Sequence, residues 1–211
     1  MQIFSKLKYS NSLATLLCLL LMSLTGNQAL AAPVYTFSGT PTSMEGPWTF
    51  EQRFTVGTQG FVIDALGFWD YQGNGLEASH LVGIFDASGT LLRSTTIGAG
   101  TGNSLQDGFR WQSIAQLTVD AGTTILLVAQ QAGDYHNMTD GMVLDSRIAS
   151  EGSGYVGGIT FDPNAIPEFT NNHIWAANFN IAEVAAVPEP ASLALLSLGL
   201  FGLGFSRRKK A

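Results

Sequence analysis

From residue 32 to residue 187 the apolar residues fall in short runs rich in β-branched and aromatic side chains, broken by Gly, Asn and Asp. Such runs predict strands at Val34–Phe37, Trp48–Val56, Phe61–Trp69, His80–Phe85, Leu91–Ile97, Phe109–Ile114, Thr123–Ala129 and Ile174–Ile181. Turns are expected at Gly57–Gly60, Gly73–Gly75, Gly98–Asn103 and Asp120–Gly122. In Phe50–Val56, Phe50, Gln52, Phe54 and Val56 share one face, while Glu51, Arg53 and Thr55 share the other and are expected to be wet. Asp86-Ala87-Ser88-Gly89 sits between two apolar runs and predicts a hairpin. Ile125–Val128 is apolar on both faces, as in a central strand covered on both sides. No window carries a helical apolar stripe of similar quality. The expected fold is all-β, a single antiparallel β-sandwich of jelly-roll type.

The pattern weakens from Gly133 to Asn172, and long loops are expected there. Glu151-Gly152-Ser153-Gly154 reads as a flexible linker, and it lacks the strand-to-helix turn that would expose a serine nucleophile. Residues 182–187 read as a spacer.

Both ends of the chain break with this texture. Lys6 and Lys8 precede an apolar run from Leu13 to Leu24 and the small-residue pattern Ala29-Leu30-Ala31. This predicts a signal peptide over residues 1–31, cut by signal peptidase after Ala31. Cys18, the sole cysteine, follows Leu16-Leu17 and so lacks the small residues of a lipidation site. At the other end Pro188-Glu189-Pro190 leads into the apolar segment Ala191–Phe205 and the basic stop Arg207-Arg208-Lys209-Lys210. Fifteen helical residues rise about 22 Å against a hydrocarbon core of about 30 Å, a marginal span. The four cations favour a cytoplasmic C-terminus, which places the sandwich outside. The chain thus divides into a leader (1–31), a β-sandwich ectodomain (32–181), the spacer, and a tail (188–211) with a transmembrane helix.

Charge sharpens the division. Residues 32–187 hold four arginines, no lysine and fifteen acidic residues, a net charge of −11. A surface of that sign repels phosphate backbones and argues against nucleic acid. Without cysteine, the mature domain depends on its core alone.

Candidate chemistry is sparse. His80, His136 and His173 lack metal-ligand spacing. Asp70-Tyr71-Gln72-Gly73-Asn74-Gly75 begins like a calcium loop, but Leu81 stands where the bidentate carboxylate is needed. The stretch from Asp134 to Asp140 fails in the same way at His136 and Met138. No cofactor and no metal site are expected, and a structural calcium is left open by analogy with exported sandwiches alone. Trp69, Tyr71, Trp111 and Tyr135, near strand and loop ends, are the candidate glycan-binding residues, since ring faces stack on sugar C–H surfaces. The alternative for Trp69 and Trp111 is a place in the core.

The tail, with Val187 through Ser192, the apolar segment and the basic stop, resembles the C-terminal sorting signal of the PEP-CTERM family. The resemblance implies an exported protein, a precursor held in the inner membrane with its ectodomain outside, and cleavage near Pro188–Pro190 by an exosortase-like enzyme. It further implies a mature form at the cell surface or in an exopolysaccharide or biofilm matrix. The stretch from Asp64 to Gly89 is similar to β-sandwich ectodomains that precede such tails, a likeness that carries no activity. The expected role is non-enzymatic, with exopolysaccharide as a binding partner. A secreted glycan hydrolase and a self-assembling matrix protein are the alternatives.

Overall fold

The computed structural model describes residues 32–37, 47–136, 142–166, 169–170 and 174–182. Ala29, Ala31, His173, most of the spacer and the whole tail from Pro188 to Lys210 lie outside the described residues. In chain order the strands are β1 (Ala32–Pro33), β2 (Tyr35–Phe37), β3 (Trp48–Val56), β4 (Phe61–Trp69), β5 (His80–Asp86), β6 (Leu91–Ile97) and β7 (Ser104–Gln106). There follow β8 (Phe109–Val119), β9 (Thr124–Gln131), β10 (Met142–Leu144), β11 (Ile148–Gly157), β12 (Phe169–Thr170) and β13 (Ala177–Ala182). Among the described residues no α-helix occurs, and no helix is long and apolar enough to cross a membrane.

Every pairing is antiparallel. One sheet runs β12-β11-β3-β9-β5-β6, a second β1-β13-β4-β8-β7, and β10 pairs with β2. The two large sheets share a core and make a sandwich-like, all-β domain. Phe54 of β3 meets Phe179 of β13 edge-on at 5.8 Å, and Phe68 of β4 stacks on His80 of β5 at 3.7 Å. Each buried Phe, Leu or Ile contributes roughly 1.5–3 kcal/mol over an exposed one. That burial is what holds the domain together.

The predicted two-sided strand is β9. Ile125, Leu127 and Ala129 join the main core, while Leu126 and Val128 form a second cluster with Phe85 under Phe161. Gly83 makes room for that cover: a Cβ there would stand 2.6 Å from the Phe161 ring. The predicted hairpin joins β5 to β6. The Asp86 carboxylate accepts from the Ser88 and Thr90 amides, each at 2.9 Å, and Gly89 takes φ 84°, which a side chain would resist.

Two expectations are corrected. The Glu151–Gly154 linker is part of β11, paired along β3 and bulged between Ser150 and Gly152. Gly152, at the bulge, takes φ 126°, a conformation that side chains resist. Ser153 is fully buried, its Oγ accepting from the Ile174 amide at 2.9 Å. Glu51, expected in water, is 1% exposed. The chain after β11 folds back over that face, where the Thr49 hydroxyl donates to the Gly158 carbonyl and accepts from the Thr160 amide, both at 3.0 Å. Burial pushes the Glu51 carboxyl up, and Arg53, 3.2 Å away, pulls it partly back.

A polar pocket walled by two tyrosines

At one rim of the sandwich the end of β4, the start of β5 and the end of β9 come together. The connections they carry enclose a pocket of about 140 Å³, lined by Asp70, Tyr71, Gln72, Asn74, Gly75, Glu77, Asp134 and Tyr135. Each loop alone fails as a calcium loop, and their assembly explains what the acids do instead.

Asp70 is 3% exposed and braces its own loop. Both carboxylate oxygens accept from the Gly75 amide, at 3.2 and 3.0 Å. Its counter-ion is Arg110 of β8, whose Nε donates to Oδ2 at 2.7 Å. The rest of that guanidinium donates to the Gly73, Asn103 and Thr101 carbonyls at 2.9, 3.0 and 3.4 Å. One buried cation therefore fastens the 70–75 and 101–103 loops to β8. The loop needs help: Gln72 and Gly73 have φ of 68° and 70°, the left-handed region that costs a side chain energy.

Asp134 performs the matching task from β9. Its oxygens accept from the Glu77 and Ala78 amides at 3.0 and 3.1 Å, and Oδ2 lies 2.7 Å from His80 Nε2. Burial works against this carboxylate, but the bonds from His80 and the two amides prevail and hold it below the usual carboxylate range. Gln131 Nε2 donates to the Asp134 carbonyl and fixes the turn from beneath.

The aromatic residues divide. Trp69 and Trp111 are 7% and 6% exposed, so both belong to the core and offer no binding face. Gly67 lies against the Trp111 indole, where a Cβ would meet ring atoms at 2.7–2.9 Å. Tyr71 is half-buried on Trp69, with ring centroids 5.6 Å apart. Tyr135 is 38% exposed and packs on Tyr71 at 5.2 Å. A row of three rings thus leads from core to surface, and its outer two line the pocket. Sequence offers Gln72 and Asn74 only as calcium-loop positions and does not single out Glu77, because nothing in their spacing shows that two connections converge.

Of the histidines, His80 is buried between Asp134 and the Phe68 ring, and His136 is buried against Phe50 at 5.3 Å. Among the described residues no group of three His, Cys, Asp or Glu side chains is placed to hold a metal.

Residues 186–209 match the PEP-CTERM protein-sorting motif. Comparison with curated proteins and with solved structures finds no match. The motif implies an exported protein whose C-terminal membrane anchor is cleaved by exosortase-type enzymes. Replacing Pro188, Glu189 and Pro190 together by Ala is expected to leave full-length precursor in the membrane fraction of the host while the wild type is shortened. Equal processing of both, seen by immunoblot, would remove the motif from that role.

Proposed function

We propose that this is a non-enzymatic protein of the cell surface or extracellular matrix that binds exopolysaccharide through the pocket lined by Tyr71 and Tyr135. The observation that carries this reading is the pairing of two tyrosine rings, one of them open to solvent, with Gln72, Asn74 and Glu77 around a small cavity. Ring faces bury sugar C–H surface, and amide and carboxylate groups bond hydroxyls. The hydrolase alternative gains nothing from the geometry. Glycoside hydrolysis requires one carboxyl kept protonated near neutrality and a second free to act. Here Asp70 is paired with a guanidinium, and Asp134 is held on the ionised side by its donors.

The test is affinity electrophoresis of the full-length protein through gels containing single polysaccharides. Retention is expected in at least one gel, and Tyr71→Ala and Tyr135→Ala should each weaken it about tenfold, the upper end for a lost aromatic contact. Turnover of a polysaccharide without retention by any would replace this reading with the hydrolase.

A further inference from the structure

The charge of the pocket points to a class of sugar. Three carboxylates line it, but two are bonded into its own wall. Asp70 is paired with Arg110. Asp134 is paired with His80, whose Nδ1 lies 3.0 Å from the Gln130 carbonyl and whose Nε2 faces the carboxylate. Glu77 differs from the other two. It is exposed, and its carboxylate has no hydrogen-bond or ion-pair partner among the described residues. The pocket therefore presents one carboxylate not already bonded among the described residues, beside two electron-rich rings, in a stretch of chain that is itself strongly acidic.

An anionic ligand, such as a uronate or a sulfated sugar, meets repulsion there. A neutral sugar gains nothing from Glu77 beyond a hydrogen bond. A protonated amine gains an ion pair with Glu77 and the attraction of the Tyr71 and Tyr135 faces. Size is restrictive as well, because a cavity of about 140 Å³ is small for a ligand site and suits one sugar ring better than a larger ligand.

We infer that the pocket accepts a glycan residue bearing a free, protonated amine, an amino sugar without its N-acyl group, and that Glu77 is the residue that selects it. This rests on the reading of the pocket as a glycan site.

Full-length protein is titrated calorimetrically with short glucosamine oligomers, with their N-acetylated counterparts and with uronate oligomers of equal length. At about pH 6 the amine carries its proton. The free-amine oligomer is expected to bind roughly five- to tenfold tighter than the N-acetylated one, the range for an exposed ion pair with a cation–π contact. The uronate should bind weakest. Glu77→Gln should abolish the preference, whereas Asp107→Asn, which removes the same charge from an exposed left-handed turn, should leave it intact. Equal affinity for acetylated and free-amine oligomers overturns the amine selectivity and leaves the glycan site standing. A preference that survives Glu77→Gln overturns the assignment to Glu77. No binding of any of the three overturns the glycan reading along with the inference.

Discussion

Arg110→Ala is expected to lower the stability of the domain by about 3–5 kcal/mol, the cost of breaking a buried ion pair from one side. The guanidinium is the only group that neutralises Asp70 among the described residues, and both side chains are nearly sealed from water. Its loss leaves a carboxylate charged and buried, and it also strips donors from the Gly73, Asn103 and Thr101 carbonyls. Against a typical domain stability of about 5–15 kcal/mol, this is about a fifth or more of the margin. Asp70→Asn should cost less, about 1–3 kcal/mol, because the amide oxygen still accepts from Gly75 while Arg110 keeps its three carbonyls. Urea unfolding of each variant followed by circular dichroism measures both. A loss below about 1 kcal/mol for Arg110→Ala would show that water reaches the pair and that the rim is held by other contacts.

Acid should weaken the protein well before its carboxylates titrate, through His136. This ring is fully buried, and neither nitrogen has a hydrogen-bond partner among the described residues. Burial disfavours the charged form and takes its pKa down to about 4 from the usual 6.5. Between those two values the unfolded chain binds a proton that the folded protein refuses, so stability rises with pH across the window and falls on acidification. A shift of that size corresponds to about 3 kcal/mol lost between pH 7 and pH 4. Glu51 acts in the opposite direction. Its folded form takes up a proton more readily than the unfolded chain does, which restores some stability as pH falls toward its usual range. Asp86, Asp134 and Asp145, all held low by hydrogen bonds, lose their contributions only below that range. His136→Leu isolates the effect: thermal midpoints of wild type and variant should be similar near pH 7 and diverge toward pH 4, with the variant the more acid-resistant. Parallel curves would sink the assignment.

The strands were legible wherever alternation or a two-sided apolar run set them. β3, β4 and β6 have the bounds that their sequence pattern predicts, and the Asp86–Gly89 turn was readable because its residues carry their own local bonding. β11 was hidden, since Gly152 and Gly154 lower the strand signal where the strand bulges and Ser153 is buried. β8 runs on past the predicted end at Ile114 to Val119, through Ala115 and Gln116, where the sequence pattern loses its apolar run. Glu51 was misplaced because alternation says which face a residue is on but not what covers that face. For the binding site, Tyr71 and Tyr135 were nameable as aromatics near loops. Their pairing, and the burial of Trp69 and Trp111 behind them, follow from long-range pairing of β4 with β8 and from the nearby end of β9. No local spacing encodes either.

The position of β13 has a consequence for the order in which the protein can be made. This segment, the last of the described chain, lies inside its sheet, with β1 on one side at Ala32–Pro33 and β4 on the other. Until residue 182 has emerged, β4 has a row of unpaired backbone groups along one side, and Phe54 and Phe61 lack Phe179. The first strand likewise has nothing to pair with. A chain that crosses a membrane from its N-terminus therefore cannot close this domain partway: folding waits for the stretch that immediately precedes the sorting signal, so completed translocation and completed folding fall at nearly the same moment.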